Sequence, residues 1–389
     1  MKGFKFKGIA AGIKKDGRKD LGIIFSEKPA AAAALFTKNK VAAAPVILGR
    51  ERIKKGFLQA VVVNSGNANC CTGQRGMEDA VETAEIAAEC LGVSEALVMV
   101  SSTGVIGAPL PMEIIRKNIP DLTRDMDLNF IDDFSIAILT TDKSAKISRG
   151  KGSIRGKEFF VTGVAKGSGM IRPDMATMLA FVCTDLDISA DILKLSLKNS
   201  CDRSFNRISV DGDTSTNDTV IALANGMSGA VAENREDYMQ FQEILDTVLL
   251  DLSRMIVKDG EGATKLAEII VRGAATPYDA YRAAEAISQS NLVKTALYGE
   301  DPNWGRIVAA AGRSGAAMDP EKLDLKFDDV VLVKKGVWLG EEAEKKAAEI
   351  MKNHELRIIL DLNMGKCTDF FVFCDFSENY VKINADYRS

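Results

Sequence analysis

Four stretches of the chain set glycine among small hydroxyl or amide residues, as sites that bind through backbone groups do. Asn64–Gly73 reads NSGNANCCTG and follows the apolar run LQAVVV; Ser101–Gly107 reads SSTGVIG and follows ALVMV. In both, a strand is expected to run into a glycine-containing turn whose N–H groups could face an anion or a developing oxyanion. On spacing alone a plain tight turn accounts for either. The third stretch, Lys166–Asp185, reads KGSGMIRPDMATMLAFVCTD: a glycine-rich loop passes Pro173 and Met175-Ala176-Thr177 into an apolar strand. GSGMIR lacks the third glycine of a dinucleotide fingerprint and no GxxxxGK[ST] pattern occurs, so phosphate cradling has weak support. The fourth, Phe205–Asp218, reads FNRISVDGDTSTND, with Asp211, Asp213, Ser215 and Asn217 alternating as in a calcium loop. Its sixth position is Thr216 rather than glycine and its twelfth is Ala222 rather than glutamate, so turns held by their own side chains are the simpler reading.

Histidine occurs once, at His354, between a helical stretch and an apolar run, and reads as a surface residue. A Ser-His-Asp or Cys-His mechanism is therefore disfavoured and a multi-histidine metal site excluded. Nucleophilic chemistry here needs another general base. The seven cysteines include the adjacent Cys70 and Cys71 but no CxxC, which fits neither a disulfide framework nor a zinc site. Reduced thiols in the cytosol are the default.

The elements that must hold these stretches alternate along the chain. Strands are expected at Leu58–Val63, Ala96–Val100, Phe159–Val164, Met178–Thr184, Lys265–Val271, Leu356–Leu362 and Phe370–Asp375. Helices are expected at Met77–Leu91, Ile131–Leu139, Ala190–Asn199, Arg235–Val257, Pro277–Leu297 and Glu341–Lys352. Met77, Ala80, Val81, Ala84 and Ala88 make an apolar stripe at helical spacing. Ser189 is placed to cap its helix, and Pro277 stands where a first-turn proline is tolerated. The class is α/β or α+β with mixed sheets. Ala30–Ala34 reads as packed backbone, and a composition shift near Asn291–Trp304 suggests a smaller C-terminal lobe over roughly 290–389.

Composition narrows the function. The 389 residues leave room for about two or three domains. With 46% hydrophobic and 27% charged residues and a net charge of −4, the chain is globular and lacks a nucleic-acid binder's basic footprint. No apolar run approaches the roughly 20 residues of a membrane helix. The charged amino terminus, MKGFKFKGIAAGIKKDGRKD, has no signal-peptide pattern and reads as mature cytoplasmic sequence.

Taken in order, these segments resemble the ornithine acetyltransferase (glutamate N-acetyltransferase) family of arginine biosynthesis. The resemblance runs from GIAAGIKKDGRKDLGIIFS and FTKNKVAAAPV through NSGNANCCTG, SSTGVIG, KGSGMIRPDMATMLAFVCTD and FNRISVDGDTSTNDT. KDGEGATK, EDPNWGRI and the terminal YVKINADYRS complete it. Two stretches depart from the pattern: Arg172 and Asp174 flank Pro173 where many relatives carry uncharged or amide residues, and DLNMGKCTDFFVFCDFS is only loosely similar.

Members of that family cleave themselves before the threonine of the MATML segment. The resemblance thus implies cleavage between Ala176 and Thr177, giving an α chain of 1–176 and a β chain of 177–389, intertwined and paired as a heterotetramer. Thr177 becomes the nucleophile, and its freed α-amine, with an ordinary pKa of about 7.7–8.0, supplies the missing base. Thr103 and Gly104 are implied as the oxyanion pair, and Thr141, Lys166, Thr177, Glu261, Asn384 and Ser389 as substrate contacts. The positive charge of Lys166 could also keep the Thr177 amine neutral. The implied reaction passes an acetyl group from N-acetylornithine through Thr177 to glutamate, with no metal or organic cofactor, and leaves acetyl-CoA open as a further donor. The implied fold is a layered sandwich of mixed β-sheets between helices. Two other readings stand: an autoproteolytic amidase or aminopeptidase using water as acceptor, and an uncleaved amino-acid-binding protein without turnover.

Overall fold

The computed structural model describes residues 1–172 and 178–386. Its strands are β1 (Phe4–Ile9), β2 (Leu21–Phe36), β3 (Phe57–Asn67), β4 (Val98–Val105), β5 (Lys146–Ile154), β6 (Lys157–Lys166), β7 (Leu179–Thr184), β8 (Ile208–Ser209), β9 (Thr219–Ala224), β10 (Leu266–Ala274), β11 (Asp324–Phe327), β12 (Val330–Lys334), β13 (Val337–Trp338), β14 (Glu355–Asp361) and β15 (Cys367–Cys374). Its helices are α1 (Ala44–Arg52), α2 (Gly73–Leu91), α3 (Met112–Leu122), α4 (Ile131–Ala137), α5 (Ala190–Asp202), α6 (Arg235–Lys258), α7 (Pro277–Ser288), α8 (Asn291–Tyr298), α9 (Trp304–Gly312), α10 (Glu341–Met351) and α11 (Glu378–Asp386).

The strands form two mixed sheets, one ordered β4-β3-β2-β9-β7-β6-β5 with β1 added to β2, the other β13-β12-β11-β14-β10-β15-β8. In the first, β7 and β9 run parallel at the centre and are buried on both faces. Ala180 and Val182 join Val220 and Ala222 in a core with α5 and α6, while Phe181 and Cys183 join Ile221 and Leu223 in a core with Phe134 of α4. That double burial is why LAFVCT and TVIALA read as continuous apolar runs rather than alternating ones. The α5–α6 layer also meets Val372 and Cys374 of β15, so it sits between the two sheets. On its far face the second sheet packs against α7, α9 and α10. This is the mixed-sheet sandwich between helices that the family resemblance implies.

Several expected boundaries move. Ala30–Ala34 lies inside β2, a long strand that pairs with β3 from Leu21 to Ala31, across an irregularity between Phe25 and Ala30, and with β9 from Ala31 to Phe36. The expected helix Pro277–Leu297 is two helices, because the Ser290 hydroxyl accepts from Val293 N–H and starts α8 afresh. Ser189 does cap α5, and Pro277 does open α7. No helix among the described residues is long and apolar enough to cross a membrane.

Candidate active site

NSGN and SSTG are not turns. β3 continues through Asn67 and β4 through Val105, paired in parallel with Gly66 beside Gly104. Gly104 has φ +135°, and a Cβ built on it would run into the Gly66 backbone, so the missing side chain at Gly104 lets the strand ends close up. The amides of the first stretch brace the frame. Asn64 Nδ2 donates to Asn67 O at 2.9 Å, Asn67 Nδ2 to Pro109 O at 3.0 Å and Asn69 Nδ2 to Gly76 O at 2.8 Å.

A pocket opens where these strand ends meet four loops and the last helix. Thr103 and Gly104 come from the end of β4, Thr140 and Thr141 from the loop after α4, and Lys166 from the end of β6. Gly169 and Met170 follow β6, Ser215–Asn217 precede β9, Glu261 lies between α6 and β10, and Asn384 sits on α11. Six of the residues named from the sequence (Thr103, Gly104, Thr141, Lys166, Glu261 and Asn384) therefore line one cavity. Ala176, Thr177 and Ser389 lie outside the described residues.

Lys166 is only 2% exposed. Its ammonium donates to Thr140 Oγ1 at 2.9 Å and to Thr103 Oγ1 at 3.5 Å, with Asp142 Oδ2 at 3.7 Å. Because Thr103 Oγ1 accepts from Lys166, its own proton is free to donate elsewhere. Asp142 Oδ1 accepts from Lys146 Nζ at 2.8 Å and from Gly167 N–H at 2.6 Å. Burial alone would raise the Asp142 carboxyl, but the Lys166 and Lys146 ammoniums outweigh it and hold the carboxyl well below the usual range.

On the opposite side, Glu261 Oε2 accepts from Asn384 Nδ2 at 2.9 Å, and Glu261 N–H donates to Ser168 O at 2.8 Å. A Cβ at Gly169 would overlap the Glu261 carboxylate, so glycine there makes room for the acid. The Thr141 and Ser168 hydroxyls share a 2.7 Å hydrogen bond. Lys14 Nζ donates to Leu139 O at 2.6 Å and Arg18 Nη1 to Thr140 O at 3.2 Å, tying the amino-terminal loop to the threonine segment. Burial, with Arg18 nearby, pushes the Lys14 ammonium down to about 8.

The third and fourth stretches interlock on either side of residues 173–177. Asp211 accepts from Met170 N–H at 2.5 Å and Ile171 N–H at 2.9 Å, and burial raises its carboxyl. Asp218, fully buried and raised well above its usual range by that burial, accepts from Met178 N–H at 3.1 Å. Thr140, Asp142 and Lys146 fall in no motif, and Asn217 reads only as part of a turn, because Lys166, Asp259, Ala68 and Ser102, which give them their roles, lie elsewhere in the chain. His354 is exposed, its Nδ1 3.3 Å from Thr264 O.

Fold and pocket together define a mixed-sheet α/β protein whose pocket sets hydroxyls between a buried ammonium and a carboxylate. A family model described as the ArgJ family matches residues 5–389. The arginine biosynthesis bifunctional protein ArgJ of Geobacter sulfurreducens is 50% identical, covering 100% of both chains. That of Syntrophotalea carbinolica is 49% identical, covering 100% of this chain and 99% of its own. The crystal structure of arginine biosynthesis bifunctional protein ArgJ from Bacillus halodurans is 47% identical, with a TM-score of 0.43, covering 45% of this chain and 92% of that one. The chain belongs to the ArgJ family.

Proposed function

We propose that the chain transfers an acetyl group from N-acetylornithine to glutamate, in arginine biosynthesis, after cleaving itself between Ala176 and Thr177. The observation that carries this is the meeting of Thr103, Gly104, Thr141, Lys166, Glu261 and Asn384, from distant parts of the chain, around one pocket. Cleavage frees the Thr177 α-amine, which takes the hydroxyl proton as Thr177 Oγ attacks the acetyl carbon. The resulting oxyanion is met by the Thr103 hydroxyl, whose proton Lys166 leaves available, and by Gly104 N–H. The C–N bond breaks, the proton passes to the departing ornithine amine, and an acetyl ester remains on Thr177. The neutral α-amine of glutamate then attacks that ester; the ester C–O bond breaks, and the proton lost by the glutamate nitrogen passes through the Thr177 α-amine to Thr177 Oγ, giving N-acetylglutamate and restoring the threonine.

Glu261 pairs with a substrate amino group, Thr141 and Ser389 contribute polar contacts, and Asn384 orients the Glu261 carboxylate through their hydrogen bond. A lined carboxylate of this kind favours an amino-acid acceptor over water, and so a transferase over an amidase. The cleaved chains assemble as a heterotetramer. The seven unpaired cysteines suit a reducing cytoplasm.

Intact mass under denaturing conditions, with amino-terminal sequencing, tests the reading. Two fragments are expected, the second beginning Thr-Met-Leu-Ala; a single uncut chain would remove the amine base and favour a binding protein. Thr177→Ala is expected to abolish both cleavage and transfer, and an active two-fragment variant would refute the assignment.

A further inference from the structure

Asn217 lines the pocket, yet both of its amide hydrogens are already used. Its Nδ2 donates to Ala68 O at 2.6 Å and to Ser102 O at 2.8 Å, and its Oδ1 accepts from Thr216 Oγ1 at 2.6 Å. An amide with no free donor cannot hold a substrate carbonyl or carboxylate. What it holds is backbone. Ser102 immediately precedes Thr103, and Ala68 follows the end of β3, whose Gly66 pairs with Gly104. The β3–β4 ladder is irregular at Gly66 and Asn67, so backbone pairing alone leaves the strand ends loosely registered where the oxyanion pair lies. The neighbouring side chain, Asp218, accepts from the N–H of Met178, the residue after Thr177 in sequence. Adjacent side chains of one turn thus grip the β4 end and the start of β7.

We infer that Asn217 is a positioning residue for acetyl transfer, one that fixes Thr103 and Gly104 by tying Ala68 O to Ser102 O. The inference rests on the acetyltransferase reading and deepens it. Oxyanion donors act most strongly on charge that develops in the transition state, so loosening them lowers kcat and leaves substrate binding largely untouched. Displacing a donor costs less than removing it, and a misplacement near 1 Å is worth about a hundredfold.

The test compares Asn217→Ala with the wild-type protein for acetyl transfer from N-acetylornithine to glutamate. The cleaved fraction is measured by intact mass and stability by urea titration. The expected result, per cleaved molecule, is a kcat lower by about 10–100-fold with KM within about twofold. An unchanged kcat, or a rise in KM alone, overturns the inference. Asn217→Ser keeps a short polar group able to reach one carbonyl at most, and is expected to lose kcat to a smaller degree at the same KM; unchanged turnover there also overturns it. Failure of both variants to fold would make Asn217 a strut of the fold and not a positioning residue. No transfer by the wild-type protein would instead sink the acetyltransferase reading, and the inference would fall with it.

Discussion

Gly104 shows how one missing Cβ can decide a site. Its φ of +135° and the Gly66 backbone against it leave no room for a side chain. Gly104→Ala must therefore part the β3 and β4 ends and displace the Gly104 N–H; turnover should fall by about a hundredfold or more, the scale of losing one oxyanion donor. Wild-type kcat in that variant would take Gly104 out of the reaction. Glu261→Gln keeps size and the Asn384 contact but removes the charge proposed to pair with a substrate ammonium. A hydrogen bond to a charged group is worth about 1.5–3 kcal/mol, so KM for N-acetylornithine should rise roughly 10–100-fold with the thermal midpoint unchanged. An unaltered KM would move the amino-group contact elsewhere. The sequence made Thr103, Gly104, Thr141, Lys166, Glu261 and Asn384 legible only through their resemblance to a family. Asn217 was legible as a turn residue and no more, since its partners Ala68 and Ser102 lie far away in the chain.

At the scale of elements, the end of β6 is locked to the loop after α4 by buried charge. Asp142 lies between Lys146 and Lys166, and Lys146 also donates to Asp259 Oδ2 at 2.6 Å. Breaking a buried ion pair from one side costs about 3–5 kcal/mol, because the abandoned charge stays buried. Asp142→Asn should therefore lower the urea midpoint sharply at pH 7 and take activity with it; a midpoint within error of wild type would mean Lys146 and Lys166 find other partners. The Asp142 carboxyl is held below its ordinary value in the folded state, so its stabilisation is complete above the unfolded value of about 3.9. It is lost only as pH falls through the lower folded value. The wild-type advantage over Asp142→Asn should thus persist at pH 4 and shrink in stronger acid. Elements with clear periodicity or apolar runs, such as α2, α6 and β7, were readable from sequence. β2 was hidden because alanine carries little strand preference, and its place comes from pairing with β3 and β9. The α7–α8 break was hidden because Ser290 reads as one polar residue in a helical pattern until its hydroxyl is seen to cap Val293.

The whole molecule bears on what the proposed self-cleavage would do to it. Residues 1–176 supply β1 to β6 of the first sheet, and residues 177–389 supply β7 and β9. In the strand order, β9 and β7 stand between β2 and β6, so the second segment is wedged into a sheet built by the first. The joins are antiparallel ladders, Ala31–Phe36 against Ala224–Thr219 and Val161–Lys166 against Thr184–Leu179. Pulling the segments apart would strip both ladders and open the two cores in which Val161, Ala165, Val164 and Ala33 pack against β7 and β9. Exposing that much buried apolar surface, at about 25 cal/mol per Å², together with unpaired strand edges, far outweighs the freedom gained by cutting one peptide bond. Cleavage between Ala176 and Thr177 should therefore leave one particle. A tag on residue 1 should retain the 177–389 fragment through gel filtration in native buffer and release it only with unfolding in denaturant. A 1–176 fragment that elutes alone in native buffer, still folded, would contradict the wedged arrangement.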